Sequence, residues 1–76
     1  MDARVKGFGL RVRYFRKRLG ISQDDLADKA DMHRTYIGAI ERGERNISLL
    51  NILRLADALE ITVKELFDED IDLEKN

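Results

Sequence analysis

The sequence predicts an all-α fold, one compact domain of five short helices. Three observations predict it. Apolar residues recur at helical spacing, Ser or Thr followed three residues later by an acid opens two of the apolar segments, and the connections between segments run to only about two to six residues. No proline, low-complexity linker or internal repeat marks a boundary, so residues 1–76 are read as a single domain. That length is near the lower size at which an unaided core suffices. Cysteine is absent, which excludes a disulfide framework and any cysteine-based metal site or nucleophile.

Each element has a local reason. Phe8, Val12, Phe15 and Leu19 recur at i, i+4, i+7 and i+11, the stripe of an amphipathic first helix, and Gly20 ends it as a left-handed cap. Ser22 with Asp25 forms a capping box opening a second helix that runs to about Ala30. Asp31 occupies the turn, where Asp tolerates a left-handed backbone better than most residues. A third helix follows from about Arg34 to Arg42, and Gly43 terminates it. Residues 43–47 are a polar loop. Ser48 caps a fourth helix whose Leu49, Ile52, Leu53, Ala56 and Leu59 form an apolar surface broad enough for burial on more than one side. Thr62 with Glu65 opens a short fifth helix containing Val63, Leu66 and Phe67. The acidic tail, residues 69–76, reads as a frayed, solubilising end, although Ile71 and Leu73 give it two residues that can dock on the body or on a second subunit.

Charge is distributed unevenly. The net charge is −1, yet residues 1–20 carry seven Lys/Arg against one Asp, and both later segments are net acidic. What matters for nucleic acid is the local field and not the sum. The basic segment either lies beside residues 33–46 or neutralises the acidic end. Arg11, Arg13, Lys17 and Arg18 are read most simply as a solvated face. No apolar run suits a signal peptide or the roughly 20-residue membrane span, so a cytoplasmic chain is expected. With one His and no Cys, no metal or other cofactor is expected, nor a small-molecule ligand. No glycine-rich phosphate loop or paired-carboxylate constellation supports an enzyme.

Residues 22–42 thus read as two helices joined by a tight turn. Leu26, Ala27, Ala30, Met32, Ile37 and Ile40 lock them together and leave His33, Arg34, Thr35 and Ala39 as a face directed away from the core. A helix presenting such a face suits the DNA major groove. Arg34 has two parallel donors that match the O6 and N7 acceptors of guanine. Thr35 suits a base, a phosphate or simple support of the first turn, and Ala39 either meets a thymine methyl or fills space. His33 contacts DNA or caps its helix. Tyr36 is expected half buried, serving core packing alone or lending its hydroxyl to a phosphate. Gly38 admits a close approach.

The pattern Phe8-Gly9…Arg13…Arg16…Gly20-Ile21-Ser22-Gln23…Leu26-Ala27…Ile37…Ile40-Glu41-Arg42-Gly43 resembles the Xre-like family of helix-turn-helix regulators, which includes phage lambda-type repressors and Cro. Arg34-Thr35-Tyr36-Ile37 through Asn46 looks particularly like the controller proteins of restriction–modification systems, small stand-alone members of that family. Asp31 departs from the Gly usual in the turn. The resemblance implies a lambda-repressor-like domain in which His33, Arg34, Thr35 and Ala39 face base edges. It implies that Gln23 touches phosphate and braces the recognition helix, and that Arg42, Arg45 and Asn46 meet the DNA backbone. Arg16 and Glu41 match an ion pair between the first and third helices.

One reading helix covers only a few base pairs, so a homodimer on a pseudo-palindromic site of double-stranded DNA is expected. Leu59, Ile61, Val63, Leu66 and Phe67 exceed what one small core hides and are the expected dimer surface. An activator also needs a surface for RNA polymerase. With no effector domain, control through the dimer equilibrium is the simplest expectation. The alternative is an antitoxin-like protein-interaction module on the same fold.

Overall fold

The computed structural model describes residues 2–74, so Met1 and the last two residues of the predicted tail lie outside the described residues. Five helices follow in order: α1 (Ala3–Leu19), α2 (Gln23–Ala30), α3 (Arg34–Glu41), α4 (Leu49–Leu59) and α5 (Val63–Leu66). Their ends are set by the chemistry expected of them. Gly20 takes φ 77° and its N–H returns to the carbonyls of Arg16 and Lys17. Ser22 and Asp25 exchange the two hydrogen bonds of a capping box, as do Thr62 and Glu65. Asp31 adopts φ 56°, ψ 52°, which allows the sharp reversal between α2 and α3 without glycine. Glu60 ends α4 in the same left-handed conformation at φ 61°, and its carboxylate lies 3.1 Å from Lys29 Nζ.

The core gathers Phe8, Val12 and Phe15 of α1, Leu26, Ala27 and Ala30 of α2, Ile37 and Ile40 of α3, Leu55, Ala56 and Leu59 of α4, and Leu66 of α5. Close approach of α1 to the end of α3 depends on Gly9. A methyl group there would overlap the Ile40 carbonyl oxygen and lie 2.9 Å from that of Glu41. Gly38 differs, because an added methyl would meet only the movable ends of Arg42 and Gln23.

Three expectations fail. Arg11 is not on a solvated face: it is 7% exposed and its Nε donates to the Leu66 carbonyl at 2.7 Å, tying α1 to the end of α5. Helix α4 is not buried on several sides, since Leu49, Leu50 and Leu53 are 70%, 56% and 43% exposed. The tail is not frayed as far as Glu74, because Ile71 and Leu73 pack against the core. Ile71 lines one cleft with Tyr14, Phe15, Arg18 and Leu19, and Leu73 another with Leu10, Arg13, Tyr14 and Lys17. The basic charge of α1 is therefore shared: Arg13, Lys17 and Arg18 line clefts with the acidic end, while Lys6 lies beside Gly43 and Arg16 pairs with Glu41.

Candidate nucleic-acid interface

The N-terminal turn of α3 stands at the surface. His33, Arg34 and Thr35 are all exposed. His33 is the N-cap residue in extended conformation, but its side chain makes no capping hydrogen bond, so its imidazole is not committed to the helix. Arg34 Nε lies 3.2 Å from Asp24 Oδ1 on the first turn of α2, with both side chains largely exposed. Such a pair is weak and open to competition from another acceptor.

Behind this face a polar cluster fixes α3. Arg16 grips Glu41 through two hydrogen bonds, Nε to Oε2 at 2.7 Å and Nη2 to Oε1 at 3.0 Å, and a third runs from its Nη1 to the Ile21 carbonyl at 3.0 Å. Gln23 Nε2 donates to the same Glu41 Oε1 at 3.1 Å. Gln23 therefore ties the start of α2 to the last residue of α3. A buried carboxylate held by three donors from α1 and α2 fixes orientation more than it adds stability.

Beyond α3 the chain doubles back. Gly43 adopts φ 74° beside Lys6, and the Glu44 N–H donates to the Ala39 carbonyl at 2.9 Å. The expected outward face is one residue shorter: Ala39 is only 7% exposed, so its methyl group does not stand free beside Thr35. The loop carries Arg42, Arg45 and Asn46 outward, all exposed. Arg42 is held by Glu44 through bonds of 3.0 and 3.2 Å, and this guanidinium keeps the Glu44 carboxyl below its usual range. Arg45 leans over Tyr36, its guanidinium carbon 5.7 Å from the ring centroid. Tyr36 is half buried, as expected, and its hydroxyl accepts a hydrogen bond from Asn51 Nδ2 at 3.2 Å. Asn51 is a residue that sequence reasoning missed; position three of α4 carries no signal pointing to α3.

The residues expected to form a dimer surface divide. Leu59 and Leu66 are fully buried in their own core, and Ile61 and Val63 pack partly against it. Only Phe67 is broadly open, its ring 5.3 Å from that of Phe8. The short α5 folds onto α1 and α4, so most of its apolar residues are used within the chain. Among the described residues the large apolar side chains left exposed are Leu10, Phe67 and, grouped on one helix, Leu49, Leu50 and Leu53. These three leucines sit at i, i+1 and i+4 on α4, outside the stripe that enters the core.

Among the described residues no group of three or more His, Asp and Glu is placed to hold a metal ion, and no helix is long and apolar enough to cross a membrane.

Two helices across a tight turn, the second with an exposed polar N-terminal face and a basic loop at its far end, define a helix-turn-helix protein that reads DNA. The helix-turn-helix family model matches residues 12–66, and the chain belongs to that family of DNA-binding transcription regulators. It is similar to control protein C.BamHI of Bacillus amyloliquefaciens, with 48% identity over 62 residues, spanning 80% of this chain and 76% of that one. Control protein C.MunI of a Mycoplasma species is 41% identical over 69 residues, 90% of this chain and 92% of its own. The crystal structure of the restriction–modification controller protein C.AhdI from Aeromonas hydrophila superposes with a TM-score of 0.85 at 48% identity, covering 87% of this chain and all of that one.

Proposed function

We propose that this chain is a restriction–modification control protein that binds a pseudo-palindromic operator as a homodimer. One observation carries the reading: α3 presents His33, Arg34 and Thr35 outward at its N-terminus while the Arg16–Glu41–Gln23 cluster locks the helix from behind. In this reading His33, Arg34 and Thr35 face base edges, with Arg34 leaving Asp24 for a guanine. Tyr36, Arg42, Arg45 and Asn46 meet phosphates on the flank. Phosphate contacts set register and base contacts set sequence preference.

The second copy docks through the leucines of α4. An exposed apolar strip of three leucines on one small domain is costly in water, and an isologous contact removes two such strips at once. Twofold symmetry then requires half-sites about one helical turn, 34–36 Å, apart. Repression follows where the operator overlaps a promoter; activation requires a further surface for RNA polymerase. The reading places the protein in the cytoplasm as a single DNA-binding domain and gives it no catalytic step. The alternative, an antitoxin-like interaction module, is less well supported: Ile71 and Leu73, the apolar residues of the acidic tail that suit a protein partner, are partly buried against the chain's own core.

Selection of bound sites from random duplex DNA tests the proposal. The expected product is a pseudo-palindrome whose guanine preference disappears with Arg34→Ala while the variant stays folded. Unchanged selectivity in that variant would sink the base-reading assignment.

A further inference from the structure

We propose that Asn51 is a positioning residue for DNA binding, one that commits the Tyr36 hydroxyl proton to an acceptor outside the protein, a phosphate of the DNA backbone. The inference rests on the DNA-binding reading above and adds a residue to it.

A phenol has one proton to donate and two lone pairs to accept with. The Asn51 amide donates to one of those lone pairs at 3.2 Å, so the Tyr36 proton is not spent on Asn51. Among the described residues Tyr36 donates to no other group. A hydroxyl that accepts one hydrogen bond becomes a better donor of the next. The Asn51 backbone is anchored in the first turn of α4, because its N–H donates to the capping Ser48 hydroxyl at 3.2 Å. Over the ring stands the Arg45 guanidinium, 5.7 Å from the centroid. A polarised neutral donor and a cation are therefore both held at Tyr36, in the first turn of α3. The ligand chemistry that satisfies both is an acceptor-only anion, and along a duplex that is the phosphodiester oxygen.

Aspartate at position 51 has nearly the same shape but can only accept. It would draw the Tyr36 proton inward. Alanine would leave the proton free. The test uses the full chain and its selected operator, with Asn51→Asp, Asn51→Ala, Tyr36→Phe and the Asp/Phe double variant. Asn51→Asp and Tyr36→Phe should each weaken binding about tenfold or more, the worth of a hydrogen bond to a charged group. Asn51→Ala should cost about threefold or less, and Asn51→Asp should cost no more than that once Tyr36 is Phe, when only its added charge remains. A scan of operators carrying one neutral methylphosphonate at a time supplies a second readout. One phosphate should matter to the wild type and lose its influence in both Tyr36→Phe and Asn51→Asp. Equal costs for Asp and Ala, or an Asp penalty undiminished on the Phe background, would overturn the role of Asn51 while leaving the DNA-binding reading intact. Failure of the wild type to select any duplex site would overturn both.

Discussion

Replacing Arg16 with methionine removes the guanidinium from the cluster behind the recognition helix and keeps helix propensity and stem volume nearly unchanged. Glu41 loses donors at 2.7 and 3.0 Å, and the Ile21 carbonyl loses one at 3.0 Å. The Glu41 side chain, 4% exposed, would retain only the Gln23 amide at 3.1 Å. Stranding a buried carboxylate in this way costs about 3–5 kcal/mol. A chain of 76 residues has roughly 4–11 kcal/mol of stability in all. Arg16→Met should therefore lower Tm by at least about 12 °C, at about 4–8 °C per kcal/mol for a domain of this size. Adding Glu41→Leu removes the stranded charge, and the double variant should recover much of the loss. Urea and thermal unfolding of the wild type, both single variants and the double variant, followed by circular dichroism, measure each quantity. A cost below about 1 kcal/mol for Arg16→Met, the size of a surface pair, would refute the reasoning. So would a double variant less stable than Arg16→Met alone.

Other outcomes follow from the same geometry. Arg45→Ala should weaken binding to all duplex sequences alike and flatten the log–log salt dependence by about 0.9 for each lost phosphate contact, one from each subunit of the dimer, measured by fluorescence anisotropy across a salt series. Glu44→Gln should do the reverse, tightening binding to every sequence by freeing Arg42. The Glu44 carboxyl is depressed by Arg42, so the pair is intact above the ordinary carboxylate range and is lost as pH falls through the lowered value. Acidification should therefore mimic Glu44→Gln in the wild type and have no such effect in the variant. Leu50→Ser with Leu53→Ser should leave the fold in place, since both side chains are exposed, and shift the protein to monomer in analytical ultracentrifugation. A dimer that persists would move the interface elsewhere.

What the sequence by itself determined is whatever depends on neighbours along the chain. Ser22 with Asp25, Thr62 with Glu65, the turn at Asp31 and the cap at Gly20 are each satisfied within a few residues, so the five helices and their ends were legible. The exposed Arg34 and Thr35 followed from helical phase, and the Arg16–Glu41 pair from family resemblance. Tertiary structure decided the rest, because burial is settled between segments far apart in the chain. Arg11 is structural only because Leu66, 55 residues away, presents a carbonyl to it. Leu59 and Leu66 enter the core while Leu49, Leu50 and Leu53 stay outside, since α4 has more apolar residues than the face it turns inward. Composition cannot say which stripe wins; the packing of α2, α1 and α5 against α4 does. Ala39 is buried although helical phase alone leaves it free to face outward, and Asn51 meets Tyr36 only because the loop after α3 brings the first turn of α4 back to it. The outward face of α3 and its tie through Arg16 and Glu41 were visible in the sequence, and the Asn51–Tyr36 contact and the uncovered leucines of α4 became visible only in the fold.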